Sequence, residues 1–268
     1  MKIIDISKHN GIIDFDKVKA SGKVDGVMIR SSWGHFREDE QFKRNVSECE
    51  RLNIPYGFYH YSYACNYSEM VQEAKELINL IKDYKPLLPV AIDMEDADGY
   101  KSKMGTLNNI TLNTEICRYT CAELEKAGFY AMVYANLDWT RTKLNMTMLA
   151  PYDLWLARWN ANAPSRKCGM WQYTNSANVN GIASRVDMSK AYIDYPSLIK
   201  EHGLNGWKET EIPEEKENEF EKEWGHYVEC VKPLQILWSD DTNYMLGFGA
   251  DDKDSSFIAN KKYFSKVF

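Results

Sequence analysis

The sequence predicts an α/β fold in which up to eight strands close into a barrel, with a small β-rich module after it. Three observations carry this expectation. Short apolar runs alternate with longer amphipathic segments as far as Tyr134, the pattern of parallel strands joined by helical crossovers. Three more apolar runs follow with loops and little helix between them, so the last third of the barrel has lost its helices. The structural alternative, an open doubly wound sheet, lacks its usual Gly-rich turn after the first strand.

The elements follow in order. Ile3-Ile4-Asp5-Ile6 is a first strand and Asp14–Ala20 a short helix; Gly26–Arg30 is a second strand and Asp39–Leu52 a helix. Asn53-Ile54-Pro55 breaks that helix and feeds a third strand, Tyr56–Tyr61. Ser68–Tyr84 is a long helix, with Val71, Ala74, Leu77, Ile78 and Ile81 at helical spacing. Pro86 and Pro89 end it ahead of a fourth strand, Val90–Met94. Leu112–Ala127 is the next helix, closed by Gly128, and Phe129–Tyr134 the fifth strand. Asp153–Ala157, Met170–Tyr173 and Val186–Met188 are the strands of the last third. Residues 1–207 form the barrel, 208–223 an acidic linker, and 224–268 a small module with apolar stretches at Tyr227–Val231, Leu234–Trp238 and Tyr244–Phe248.

Composition narrows the partner classes. With 44% hydrophobic and 27% charged residues, the 268-residue chain buries a full core. Its 13% aromatic content, including 17 Tyr and 8 Trp, suits either a core or a saccharide cleft, where flat rings stack on sugars. The net charge of −6 is concentrated in residues 209–268, which hold 7 Lys/Arg against 14 Asp/Glu and leave 26 against 25 for residues 1–208. Neither part has the basic footprint of a nucleic-acid binder. No apolar stretch approaches the ~20 residues of a membrane span, so no membrane insertion is expected. Met1-Lys2 leads straight into a strand without an apolar h-region, which suggests synthesis in a reducing cytoplasm and six free thiols at 49, 65, 117, 121, 168 and 230. Cys117 and Cys121 share a helix face, but no further Cys or His completes a metal site beside them.

The strand ends carry the chemistry. In a parallel barrel, functional groups gather where strands end, and here those ends are polar. The set comprises Asp5 with Ser7 and His9, Arg30-Ser31-Ser32-Trp33, His60-Tyr61, Asp93-Met94-Glu95, Tyr134-Ala135-Asn136, and a last strand ending near Asp187. Asp93 and Glu95 are two apart and share one face of their strand. Two carboxylates held close cannot both ionise freely, so their proton affinities split. Glycoside cleavage uses that split, one carboxyl protonating the leaving oxygen while another supports the cationic centre. The same spacing also serves a hard cation held by Asp5, Asp93, Glu95 and Asp187, or structural ion pairs.

Taken in order, Asp5-Ile6-Ser7, Tyr59-His60-Tyr61, Asp93-Met94-Glu95, Trp155-Leu156-Ala157-Arg158-Trp159, Met170-Trp171-Gln172-Tyr173 and Val186-Asp187 resemble the family 25 glycoside hydrolases, N-acetylmuramidases of Chalaropsis type that include many phage endolysins. The resemblance covers about residues 1–200. It implies an irregular TIM-like β/α barrel, no cofactor and no metal, and hydrolysis of the β-1,4 bond after N-acetylmuramic acid in bacterial peptidoglycan. It also implies Glu95 as general acid/base, Asp93 as the partner that orients the acetamido group or tunes Glu95, and Asp5 and Asp187 as the other cleft carboxylates. A retaining course through the acetamido group is implied, with direct carboxylate attack or inversion through water activated by Asp187 or Asp5 left open at this level.

Tyr61 and Tyr134 are expected to touch sugar or acetamido groups, and Trp33, Trp155, Trp171 and Tyr173 to line the cleft or fill the barrel. Arg30 pairs with a cleft carboxylate or with a structural acid. His9 and His60 are expected to hydrogen-bond in or near the cleft, since no Gly-x-Ser-x-Gly elbow supports a serine nucleophile and a Cys65–His60 pair is disfavoured. A wall-degrading enzyme without a leader implies release through a holin-type opening. Residues 224–268 are expected to bind the wall or mediate homo-oligomer formation, against a capping extension on the barrel. The competing functions are a non-catalytic wall-binding barrel, a chitinase-like glycosidase and a metal-dependent deacetylase.

Overall fold

A computed structural model describes residues 1–159 and 161–207, and the backbone of three strands between Gln235 and Asn260. The chain divides into two units, Met1–Glu211 and Ile212–Phe268. In the first, the strands are β1 (Lys2–Ile6), β2 (Gly26–Trp33), β3 (Arg37–Glu38), β4 (Tyr56–Tyr61), β5 (Val90–Asp93), β6 (Ala131–Asn136), β7 (Asp153–Ala157), β8 (Met170–Ala177) and β9 (Val186–Ala191). All but β3 close into an eight-stranded barrel in the order β1-β9-β8-β7-β6-β5-β4-β2, with β2 returning to β1. Pairings from β1 through β2, β4, β5, β6 and β7 to β8 are parallel. β9 runs antiparallel to both β8 and β1, and β3 is a short antiparallel addition to β2.

The helices are α1 (Phe15–Ala20), α2 (Phe42–Arg51), α3 (Tyr67–Ile81), α4 (Tyr100–Lys103), α5 (Ile110–Lys126), α6 (Leu137–Thr142) and α7 (Tyr195–Glu201). Five of them start behind an Asp or Asn whose side chain accepts a first-turn N–H: Asp14, Asn66, Asn109, Asn136 and Asp194. The sequence did not predict α4, α6 and α7. Each spans two turns or fewer, too short for an apolar period to stand out.

Strand alternation splits the core into two layers. One set of positions (Ile4, Ile29, Phe58, Val90, Ile92, Val133) faces the helices. The opposite set fills the barrel with Ile3, Met28, Ala91, Met132, Trp155 and Met170. Gly57 is required there, because an added Cβ would lie 2.5 Å from Pro89 O and 2.8 Å from Met28 Sδ. Asn205 seals the far end, with Nδ2 donating to Pro86 O at 2.9 Å and Leu88 O at 3.1 Å, and Oδ1 accepting from Tyr130 N at 2.8 Å.

In the second unit β10 (Gln235–Ser239), β11 (Asn243–Gly247) and β12 (Phe257–Asn260) form an antiparallel meander, so the tail is β-rich. The acidic run 208–223 and the apolar stretch Tyr227–Val231 lie outside the described residues. Among those described, no helix is long and apolar enough to cross a membrane.

Candidate active site

The inward-facing row that is apolar deep in the barrel turns acidic at one rim. Asp5 lies on β1, Asp93 ends β5 with Glu95 two residues on, and Asp187 stands directly opposite Asp5 across the β1–β9 pair. The direction of β9 corrects the sequence reading: the last strand begins, rather than ends, at Asp187. Because β9 descends from the rim that β1 climbs to, its second residue reaches the level of the other acids. Like charges directly opposite each other destabilise an antiparallel pair, so this Asp–Asp placement costs the fold stability.

Proton affinities in the cluster are split. Burial, with the Asp187 and Glu95 charges, pushes Asp5 well above the carboxylate range despite a hydrogen bond from Gln172. Burial also raises Asp93 strongly, reinforced by Glu95 and Asp5 and opposed by Arg30 and Lys101. Glu95 is pushed up to about 7 by burial and the charges of Asp187, Asp98 and Asp96. Asp187 is raised by burial to about 6. Asp93 Oδ1 is buried without a hydrogen-bond partner. Among the described residues, no three His, Cys, Asp or Glu side chains converge as metal ligands would.

Gln172, which the sequence reading did not single out, ties the rim together. Its Nε2 donates to Asp5 Oδ2 at 3.0 Å and to Asp187 Oδ2 at 3.2 Å. Its Oε1 accepts from Tyr134 Oη at 3.1 Å and from Trp159 Nε1 at 2.9 Å. The neighbours Trp171 and Tyr173 take the opposite parity: Tyr173 packs on the helix-facing core, and Trp171 Nε1 donates to Arg158 O at 2.9 Å. Strand alternation therefore puts the amide, rather than the flanking rings, on the inward row.

A second cluster borders Glu95. Asp98 accepts from Tyr61 Oη at 3.1 Å, from Tyr63 Oη and from Tyr100 N at 3.2 Å. Burial opposes its charge, but these donors outweigh it and hold Asp98 below the usual range. Tyr63 stacks on Tyr100 with centroids 4.2 Å apart and meets Trp33 edge-on at 6.0 Å. Lys8 Nζ and the Arg37 guanidinium lie 4.8 and 5.1 Å from the Trp33 ring.

Arg30 Nε donates to buried Asp39 at 2.8 Å, the structural-acid alternative; Asp39 also accepts from Lys8 N and Gln41 N. Trp155, 2% exposed, meets Tyr134 edge-on at 4.7 Å and donates from Nε1 to Ser189 Oγ at 2.9 Å. Its burial is that of a barrel-filling ring. His60 faces the helices: Nδ1 is 2.8 Å from Ser32 Oγ and Nε2 is 3.3 Å from Glu73, whose carboxylate also accepts from Ser62 Oγ and Tyr63 N. Cys65 Sγ accepts from Thr106 Oγ1 instead of pairing with His60. His9 is exposed, and partial desolvation with the charges of Arg30 and Lys8 lowers its proton affinity. Cys49, Cys65, Cys117, Cys121 and Cys168 are free thiols.

A closed β/α barrel with four carboxylates gathered at one rim is an arrangement suited to glycoside chemistry. The family model for glycosyl hydrolases family 25 matches residues 4–182, and the chain belongs to that family. It is similar to the autolytic lysozyme of Clostridium acetobutylicum, 29% identical over 192 residues that cover 71% of this chain and 55% of that protein. Among solved structures it is similar to the modular autolysin LytC from Streptococcus pneumoniae in complex with a synthetic peptidoglycan ligand, 34% identical with a TM-score of 0.63, covering 70% of this chain and 46% of that one. It is also similar to the CTP1L endolysin, 26% identical with a TM-score of 0.62, covering 74% and 69%. The chain thus spans about half the length of two of these relatives.

Proposed function

We propose that this chain is an N-acetylmuramidase that hydrolyses the β-1,4 bond between N-acetylmuramic acid and N-acetylglucosamine in bacterial peptidoglycan. The observation that carries this reading is the placement of Asp5, Asp93, Glu95 and Asp187 at one rim of a family 25 barrel, where burial and neighbouring acids raise Glu95 to about 7 and burial raises Asp187 to about 6. Glu95 protonates the leaving glycosidic oxygen as the bond breaks. Asp187, ionised, stabilises the positive charge that develops on the sugar. The carbonyl oxygen of the substrate's own acetamido group attacks the anomeric carbon. The buried, unpartnered Asp93 Oδ1 supplies an acceptor for the acetamido N–H. Glu95, now ionised, takes a proton from the water that opens the intermediate, and the configuration is retained.

The surroundings support subsidiary assignments. Tyr61 and Tyr134 border the acids and are assigned to sugar and acetamido contacts, and Trp33, which Tyr63 meets edge-on, is assigned to the substrate-binding surface. Arg30 acts on Asp93 through its charge, and Trp155 and Tyr173 support the cleft from within the barrel wall. The likeness to an endolysin supports action on the wall after holin-type release, and residues 224–268 are assigned to wall binding, with self-association as the second role. Purified sacculi incubated with wild type and Glu95→Gln test the activity. A general acid is worth 10²–10⁴-fold, so the variant is expected to lose roughly a thousandfold in rate. Equal rates would refute the assignment and favour a wall-binding barrel without catalysis.

A further inference from the structure

Gln172 is an uncharged side chain among four acids, and each of its hydrogen bonds has a defined sense. An indole N–H only donates, so the oxygen of the amide must face Trp159 Nε1, 2.9 Å away. The nitrogen then faces the acids, and its two hydrogens meet one oxygen each of Asp5 and Asp187. A flipped amide would set N–H against N–H at Trp159 and a carbonyl against ionised Asp187, which disfavours it. Tyr134 Oη gives the oxygen a second donor, and both lone-pair sites are used.

We propose that Gln172 is a positioning residue of the hydrolytic site: a two-donor clamp that holds the Asp5 and Asp187 carboxyl groups in one geometry, with Tyr134 and Trp159 locking the amide. The proposal rests on the hydrolytic reading above. The two acids stand opposite each other on β1 and β9, and no described cation bonds to either, so the amide is their shared protein donor. Asp187, Glu95 and Asp93 face Asp5 from the other strands and oppose its charge, while Tyr59 and Tyr134 stand by it as neutral phenols. Removing the clamp makes ionisation of the pair harder. The acid limb of the activity profile, set by ionisation of Asp187, then moves to higher pH.

The test uses the full chain and soluble glycan fragments of peptidoglycan, with kcat and KM measured across pH for wild type, Gln172→Met, Gln172→Glu, Trp159→Phe and Glu95→Gln. Gln172→Met keeps the length without a donor. It is expected to lower kcat roughly a hundredfold, the cost of a misplaced catalytic group, with little change in KM and an acid limb moved to higher pH. Gln172→Glu keeps the shape but offers at most one O–H, and only when protonated, so its activity relative to wild type rises as pH falls. Trp159→Phe, at a site 43% exposed where folding is not at stake, shifts the acid limb in the same direction as Gln172→Met and less far. If Glu95→Gln is inactive while Gln172→Glu keeps the wild-type kcat and profile, the clamp is overturned and the hydrolytic reading stands. Full activity of Glu95→Gln would remove that reading, and the clamp with it.

Discussion

Replacing Glu95 with Gln should cut hydrolysis roughly a thousandfold and at the same time stabilise the folded chain by an amount that grows from about pH 4.5 and is complete above about pH 7. The carboxyl is lifted from its ordinary 4.5 to about 7 by burial and by Asp187, Asp98 and Asp96. A group with a raised folded value favours the folded state fully below pH 4.5, and that contribution is lost as pH rises through 7. At about 1.4 kcal/mol per pH unit the penalty above pH 7 approaches about 3 kcal/mol, or about 2 kcal/mol once water at the rim is allowed for. The amide that replaces the carboxyl carries no charge, so the variant escapes the penalty. Urea titrations of wild type and variant at pH 4 and pH 8 read the difference directly. The gain of about 2 kcal/mol should be present at pH 8 and absent at pH 4. An equal gain at both values would make the effect one of packing, and no gain at pH 8 would mean Glu95 is not held protonated by its surroundings.

Three further outcomes are expected. The pH dependence of kcat/KM should be a bell, with its acid limb near about 6 from Asp187 and its alkaline limb near about 7 from Glu95; a flat profile across that range would contradict the assignment of these groups. Asp98→Asn removes one of the charges that raise Glu95, so the alkaline limb should move to lower pH while sacculus binding, measured by co-sedimentation, stays unchanged. Gly57→Ala forces a methyl against Pro89 O and Met28 Sδ inside the barrel and should destabilise the fold by about 3 kcal/mol in thermal denaturation; a change below about 0.5 kcal/mol would mean the strand yields there.

Much of the site was legible because a strand has a period of two and a parallel barrel exposes its strand ends. Those two rules pick out Asp5, Asp93 and Glu95 without coordinates. The direction of β9 was also available in principle. Residues 178–185 give eight positions between β8 and β9, too few for the crossover a parallel return needs. Ending β8 at Tyr173 instead of Ala177 widened that gap and hid the turn. Gln172 was passed over because large rings flank it on both sides, and Trp171 and Tyr173 draw the eye in a saccharide cleft. Only the parity of Met170, which lies in the barrel interior, marks the amide as the inward residue. Asp98 and Glu73 were out of reach, since their partners Tyr61, Tyr63, His60 and Ser62 meet them through loop paths that no local period encodes.

The central claim is that this rim of carboxylates cuts one particular glycosidic bond. Sacculi digested by the wild-type chain, reduced with borohydride and analysed by mass spectrometry report which sugar bears each new reducing end. Reduced muramic acid ends that are absent after treatment with Glu95→Gln are the expected result. Reduced glucosamine ends, or muramic acid ends produced equally by the variant, would contradict it.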